Sequence, residues 1–254
     1  MKVVVLIKTA TGGAVDAEDA FTRAARTAPG VIGPADAHAL EEAIRLRENG
    51  LAHEAVCIAL APSSEVLGAL REALAMGIDR AVLIADPAME GADLLARSAL
   101  VAAALSSEPA DLYLNCTWSG DVDGTLLWAA VAERLGHPVM TQARHLSLAA
   151  ESVTIERQVE TGNVTLKADL PCLVEVTDTI NKPRRASMKG RTAARAKPLA
   201  VLSLADLEAA PAKNGTRIVA LQSTPPTRTP TLLEGPAATA ENLVSFLETH
   251  GFLA

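Results

Sequence analysis

Strand-like runs and helix-like segments alternate through the first 135 residues, and this alternation restricts the possible folds more than any other feature. Apolar runs of strand length occupy residues 1–8, 55–60, 80–85 and 111–116. A segment with the apolar spacing of a helix separates each run from the next. Because a strand, a helix and a further parallel strand form a right-handed crossover, the pattern predicts an α/β fold. We expect an open, mostly parallel sheet with helices on both faces.

The predicted helices are bounded by capping and stop signals. They cover residues 35–49, 64–76 and about 92–106, with a fourth ending at residue 135. Asp36 is positioned to cap the first helix, and Gly50 and Gly77 follow the ends of the first two. Beyond Pro138 the pattern changes to a pair of strands around a turn at 161–163.

A final core strand is predicted at residues 172–176, and a basic segment follows it. From residue 181 to 197 the chain carries seven Lys or Arg residues and no Asp or Glu, although its net charge is -7. Met188 lies in the middle of this segment, and a flexible thioether in a basic field suits a contact that must form and release. The predicted partner-docking residues are Arg184, Arg185, Met188, Lys189 and Arg191. The alternative is a solvated loop with Met188 folded back onto the body.

Three loops follow the carboxyl ends of predicted strands, where open parallel sheets bind their ligands. These loops lie at residues 9–13, 61–64 and 115–125. The last, NCTWSGDVDGT, is rich in small polar residues and precedes a helix N-terminus, an arrangement that suits a phosphate group. The predicted nucleotide-binding residues are Leu6, Thr9, Ala61, Asn115, Trp118, Asp121, Asp123, Gly124 and Thr125.

Two features of the third loop leave its ligand open. Asp121 and Asp123 would repel a phosphate unless their carboxylates bind ribose hydroxyls or cap the following helix. Trp118 could stack on an adenine ring, or it could pack against the neighbouring helix.

Composition argues against several classes of function. Aromatic residues make up 2% of the chain and its net charge is negative, so neither base stacking nor general nucleic-acid binding is expected. No apolar run reaches the roughly 20 residues that span a bilayer, and no signal-peptide pattern precedes the first strand. A cytoplasmic protein without membrane insertion is therefore expected.

The residues that could carry catalysis are dispersed along the chain. Cys57, Cys116 and Cys172 lie far apart without metal-ligand spacing, and they are expected to be reduced core residues. The five histidines are also scattered, and no P-loop or hydrolase motif is present. We expect no metal site and no catalytic residue.

The C-terminal part has a different composition. Residues 208–236 contain five prolines and predict an extended arm. The segment ATAENLVSFLETHG then predicts an amphipathic helix. We expect an α/β domain at 1–207 with a recognition loop at 181–197 and, at 208–254, an arm with a helix that packs on a partner subunit. A mobile tail that contains a short helix is the alternative.

Several of these segments resemble electron transfer flavoprotein beta subunits. The recognition segment of that family is similar to NKPRRASMKG followed by AKPLAVLSLADL, and Met188 stands where the family carries its anchoring Leu. IERQVETGNVTLKADLPCLVEV, GPADAHALEEAIRLRENG and LREALAMGIDRAVLI agree in the same order. The resemblance covers most of residues 1–207 and is closest to the subfamily that serves dehydrogenases of the methylamine type.

The resemblance implies a fold, cofactors and partners. The fold would be adenine nucleotide alpha hydrolase-like, and the chain would form a heterodimer with an alpha subunit that binds most of the FAD. The heterodimer would be an electron carrier rather than an enzyme, taking electrons from soluble flavin dehydrogenases, methylated-amine ones included. It would pass them to the respiratory chain through electron transfer flavoprotein–quinone oxidoreductase.

The resemblance also implies a structural AMP in the loop at 115–125. Asp121 and Asp123 match the family pattern, whereas Trp118 replaces a Gln and Leu126-Leu127-Trp128 replaces a polar end. Gly13 and Ala35 stand where many relatives have an aromatic residue near the flavin. The alternative function is a stand-alone adenine-nucleotide-binding module or nucleotide hydrolase of the same broad fold. Such a protein would need neither the basic segment nor the arm.

Overall fold

A seven-stranded parallel sheet organises the first of two compact units, which comprise residues 1–220 and 221–254. The structure is a computed structural model and describes residues 1–11, 30–117, 125–209, 214–216, 219 and 236–253.

The described strands are β1 (Lys2–Ile7), β2 (Thr9–Thr11), β3 (Gly30–Ile32), β4 (Glu54–Ala61), β5 (Arg80–Ala85), β6 (Leu112–Cys116), β7 (Val139–Ala143), β8 (His145–Leu148), β9 (Ser152–Val159), β10 (Gly162–Asp169), β11 (Cys172–Val176) and β12 (Leu199–Leu202). The described α-helices are α1 (Pro34–Glu48), α2 (Leu67–Met76), α3 (Leu94–Ser106), α4 (Thr125–Leu135), α5 (Met188–Ala194) and α6 (Pro236–Thr249). Short 3-10 turns occupy Ser64–Val66, Pro87–Met89 and Ala205–Leu207.

The main sheet has the order β12-β5-β4-β1-β6-β11-β7, and each neighbouring pair is parallel. Residues of α1 and α2 pack in one buried cluster and residues of α3 and α4 in another. Val3 and Val5 of β1 belong to the first cluster, whereas Val4 belongs to the second. Burial on both faces explains why β1 is a continuous apolar run. The predicted α/β fold, with an open parallel sheet and helices on both faces, is confirmed.

The first helix begins differently from the prediction. Helix α1 starts at Pro34 after an extended Gly33, and no side chain caps it. Pro is well suited to the first helical turn because its missing N–H would have no partner there. Asp36 accepts a hydrogen bond from the backbone N–H of Lys8 at 3.1 Å, and so it ties the end of β1 to the helix. The prediction that Asp36 is the N-cap was wrong.

A second, antiparallel sheet has the order β10-β9-β8. Its β9–β10 hairpin is the predicted strand pair, with Gly162 opposite Val159, so the turn is at Glu160-Thr161, one residue earlier than predicted. Strand β8 was not predicted as a separate strand. Leu146 and Leu148 of β8 are buried in the cluster with α1 and α2, which fixes this sheet on that face.

An ionic cluster joins the amino ends of the central strands. Arg80 at the start of β5 donates to Glu54 at 2.6 Å and to Glu108 at 2.8 Å, and Glu108 also pairs with Lys2 of β1. The hydrogen bond from Arg80, more than any other effect, lowers the pKa of the Glu108 carboxyl. The cluster therefore stabilises the end of the sheet opposite the predicted ligand loops.

In the second unit, α6 confirms the predicted C-terminal helix. Leu243, Val244 and Phe246 are about half exposed. Most of the predicted extended arm lies outside the described residues. Among the described helices, none is both long and apolar enough to cross a membrane.

Candidate docking surface and nucleotide site

Three strand ends meet where the strand order reverses. Strand β1 lies between β4 and β6. After β1 the chain adds β4 and β5 on one side of it, and then adds β6 on the other side. Leu6 is near the end of β1, Ala61 ends β4 and Asn115 is the penultimate residue of β6. Because Val5 is paired with Leu114, the register places Leu6 beside Asn115. The fold therefore brings together three of the predicted nucleotide-binding residues.

Asn115 is the polar residue of this group. Its Oδ1 atom is buried and accepts no hydrogen bond from the described residues. A buried acceptor without a partner costs free energy, which a donor on a bound molecule would recover. The exocyclic amine and ribose hydroxyls of an adenosine nucleotide are such donors, so this strand end fits one.

The other predicted nucleotide-binding residues are only partly described. Thr9 lies in β2, which pairs with β3 outside the main sheet, and Thr125 begins α4. Trp118, Asp121, Asp123 and Gly124 lie outside the described residues. The predicted phosphate contacts of the loop at 115–125 therefore stay a prediction.

The apolar residues after this loop are explained by the packing of α4. Trp128 is only 2% exposed and belongs to the core shared with α3, whereas Leu126 is 67% exposed. Leu127 packs against the same core. Trp128 thus serves the interface between α4 and α3.

Asn181 binds the segment before α5 to helix α1. The side-chain amide of Asn181 donates to the carbonyl oxygen of His38 at 2.9 Å and to a carboxylate oxygen of Glu42 at 3.0 Å. In return, Nδ1 of His38 lies 3.1 Å from the carbonyl oxygen of Asn181. These reciprocal contacts hold residues that are 143 positions apart in sequence.

Arg184 makes the strongest ionic contact of this segment. Its guanidinium donates to both carboxylate oxygens of Glu41, at 2.8 and 2.9 Å, and to both of Glu48, at 2.7 and 2.8 Å. Glu41 also accepts from the backbone N–H of Arg184 at 3.1 Å. The hydrogen bond with Glu48 is the main cause that raises the pKa of the Arg184 guanidinium, and it lowers the pKa of the Glu48 carboxyl. Arg184 is therefore ion-paired within the chain.

Residues 188–194 form the short helix α5, although the sequence predicted a loop. Ser187 caps it by accepting from the backbone N–H of Gly190 at 3.0 Å. Gly190 packs so tightly on the end of α2 that a Cβ atom would overlap the carbonyl oxygen of Ala75. The prediction of a loop at this position was wrong, because a tertiary contact supports the helix.

Two basic side chains link α2 to the end of α5 and to the chain that follows it. Arg71 of α2 donates to the carbonyl oxygen of Ala194 at 2.9 Å. Lys197 donates to the carbonyl oxygens of Leu74 and Ile78 at 2.9 and 2.6 Å. Burial is the main cause that lowers the pKa of Lys197. Lys197, which belongs to the basic segment, thus stabilises the α2 end.

Met188 projects from the first turn of α5. Its side chain is 81% exposed, so it does not fold back onto the body as the alternative interpretation required. Arg185 and Lys189 are exposed beside it in sequence and form no ion pair with the described residues. Arg191 lies 3.7 Å from Glu72 in an exposed pair that solvent largely screens. We call Arg185, Met188, Lys189 and Arg191 the docking surface.

Sequence reasoning missed the two carboxylates that bind Asn181 and Arg184, in the segment before the docking surface. Glu41 and Glu42 are adjacent carboxylates on α1, and both are almost fully buried. Buried carboxylates require a cationic or hydrogen-bonding partner. That requirement, together with the basic segment, was the available signal that the two regions meet.

The sequence is similar to those of known proteins over most of its length. The family model described as "Electron transfer flavoprotein domain" matches residues 22–207. The chain is 35% identical to the electron transfer flavoprotein subunit beta of Mycobacterium tuberculosis over 191 residues, 74% of this chain and 72% of that protein. The subunit beta of Mycobacterium leprae is 35% identical over 192 residues, with the same coverage. The Caffeyl-CoA reductase-Etf complex subunit CarD of Acetobacterium woodii is 32% identical over 186 residues, 72% of this chain and 70% of that protein.

Proposed function

The chain belongs to the electron transfer flavoprotein family as a beta subunit, and from this we propose that it docks a flavin-carrying heterodimer onto redox partners. The second subunit is the alpha subunit, which binds most of the FAD. The electron donors are soluble flavin dehydrogenases, those of methylated amines included. The acceptor is electron transfer flavoprotein–quinone oxidoreductase, which leads to the respiratory chain.

The exposed Met188 carries this proposal. A partner that covers the exposed side chain of Met188 removes apolar surface from water, and this burial stabilises the contact. Contacts between electron carriers are small, often below about 1,200 Å², so one anchor can supply much of the short-range energy. The exposed Arg185 and Lys189 suit encounter with an acidic partner surface.

The chain's own residues contribute binding and orientation, while FAD supplies the redox chemistry when it is bound. We propose that Leu6, Ala61 and Asn115 hold the adenosine part of AMP at the strand ends. In this proposal AMP is structural and takes no part in electron transfer.

Co-expression with an alpha subunit tests the proposal. The pair should purify as a yellow heterodimer with a flavin spectrum, whereas the beta chain alone should be colourless. Reduced flavin dehydrogenases for methylated amines should bleach the visible absorbance of the heterodimer within a stopped-flow measurement. A stable beta chain that binds adenine nucleotide but forms no complex with the alpha subunit would instead support a stand-alone nucleotide-binding module.

A further inference from the structure

We infer that Arg184 is a positioning residue, which fixes the docking surface on α1, and that it contributes little to electrostatic steering. This inference rests on the proposed docking function. It separates Arg184 from Arg185, Lys189 and Arg191, with which sequence alone would group it.

The hydrogen-bond geometry is the first support. All three nitrogens of the Arg184 guanidinium donate to carboxylates, two to Glu41 and two to Glu48, with one nitrogen shared. A planar guanidinium that bonds in this bidentate way is held in one orientation, which a Lys ammonium could not reproduce. The backbone N–H of Arg184 bonds to Glu41 as well, so the main chain is fixed together with the side chain.

The balance of charge is the second support. One guanidinium between two carboxylates leaves a local net charge of -1, so this site cannot attract an acidic partner. Glu41 has only 7% of its side chain exposed, and a carboxylate at that depth is costly without its cation. Arg184 is therefore required by the helix it contacts.

The position along α1 is the third support. Glu41 and Glu48 are seven residues apart, which is two helical turns on one face. Contact with both aligns Arg184 along the helix axis, four residues before Met188. Asn181 pins the chain to the first half of the same helix through His38 and Glu42. The segment that leads to Met188 is thus fixed at two points before α5 begins.

A fixed anchor matters for a contact that must form quickly. Ordering a loop at the moment of docking costs side-chain and backbone entropy, and a preorganised surface avoids that cost. Loss of the Arg184 contacts should therefore slow docking without reducing the positive charge that a partner meets.

Hydrogen exchange of the purified heterodimer gives the first test. Arg184→Ala and Glu48→Ala should each increase exchange of the amides in residues 185–194, by about threefold or more. Arg185→Ala removes the same charge at the next residue, whose exposed side chain forms no ion pair with the described residues, and it should leave this exchange unchanged. Glu48 is half exposed and Ala is a strong helix former, so the Glu48 variant is expected to fold.

Reduction by a flavin dehydrogenase for a methylated amine gives the second test, in which the two roles predict opposite signs. Glu48→Ala releases the charge of Arg184, so steering would make reduction faster, whereas positioning makes it slower. We expect slowing of about threefold or more for both Glu48→Ala and Arg184→Ala at high salt, where the changes of charge are screened and only the loss of positioning remains. Arg185→Ala should be slower only at low salt.

The two arms separate failure of this inference from failure of the proposed function. Unchanged exchange in Arg184→Ala, or reduction of Glu48→Ala at high salt that is as fast as in the unaltered protein or faster, would overturn the positioning role. If the unaltered heterodimer accepts no electrons from any such dehydrogenase, the proposed function fails, while the exchange measurement still reports whether Arg184 holds the segment.

Discussion

Gly190 of α5 lies directly against the carbonyl oxygen of Ala75, at the C-terminal end of α2, and there is no space for a side chain between them. The close approach allows a helix of only seven residues to pack firmly on its neighbour. Isolated helices of this length are unstable in water, so α5 depends on this contact. The contact also determines the position from which the side chain of Met188, two residues earlier, projects into solvent.

Gly190→Ala should therefore destabilise the packing of α5 on α2. In an ordinary helix this change is stabilising, because Ala has the higher helix propensity. Here the overlap with backbone should reverse the sign and cost about 1–3 kcal/mol. Thermal unfolding of the heterodimer, with Thr192→Ala on the exposed side of α5 as the control, measures the effect. A midpoint for Gly190→Ala at or above that of the unaltered protein would contradict the close packing.

Met188→Ala should slow reduction of the heterodimer by its dehydrogenase. The lost apolar contact should cost about 1–3 kcal/mol of docking free energy at every salt concentration. Met188→Leu keeps the apolar volume, so it should retain most of the rate. Stopped-flow absorbance measures both, and the flavin content should be unchanged in each. Equal rates for the Ala and Leu variants would remove the anchor role.

The fold could be predicted from sequence where residues are buried on both sides. Val3, Val4 and Val5 form an unbroken apolar run because each faces a core, and the same reasoning identified β4 to β6 and β11. Strand β12 was not predicted, although its four residues are apolar, because so short a run cannot be distinguished from a turn of buried helix. It is at the edge of the sheet, and Val201 in its middle is 51% exposed. An edge strand is defined by its pairing with β5, which its own residues do not encode.

The docking surface could be predicted only in part. A lone apolar residue among charges indicated that Met188 is exposed, and the structure agrees. The sequence could not show which basic side chains pair within the chain and which face solvent, because Arg184 and Glu41 are 143 residues apart. A cation that pairs with a distant carboxylate has the same local sequence as one that faces solvent. Only the tertiary structure distinguishes Arg184 from Arg185.

The stability that Glu108 provides should depend on pH. Its pKa is lowered in the folded chain from a usual value near 4.5, chiefly by the hydrogen bond from Arg80. A carboxyl with a lowered folded pKa stabilises the protein above its unfolded pKa, and the contribution is lost as the pH falls through the folded value. Glu108→Gln should therefore cost about 1–3 kcal/mol at pH 7 and progressively less below pH 4.5.

Unfolding of the unaltered chain and Glu108→Gln at several pH values measures this difference. Glu151→Gln, at an exposed position, is the control and should change stability at pH 7 by less than about 0.5 kcal/mol. A cost for Glu108→Gln that stays constant down to the acid limit would show that the charge of Glu108 is not the source of the stability.

Asn115→Leu should abolish retention of AMP while leaving FAD in place. The Oδ1 atom of Asn115 is a buried acceptor without a partner among the described residues, and a nucleotide hydroxyl or amine would satisfy it. Leu has a similar size but accepts no hydrogen bond, so the nucleotide would lose a partner. Without nucleotide, the substitution should be neutral or stabilising, because it removes an unsatisfied polar atom.

Acid extraction of the purified heterodimer, followed by chromatography, quantifies both nucleotides. The unaltered protein should release about one AMP for each FAD, and Asn115→Leu should release FAD alone. Thr117→Val is the matched control, since the Thr117 hydroxyl already donates to the carbonyl oxygen of Val176 at 3.0 Å and is not needed by a ligand. Full retention of AMP by Asn115→Leu would mean that the strand end of β6 does not contact the nucleotide. Absence of AMP from the unaltered protein would mean that the orphaned Oδ1 is an unpaired core atom.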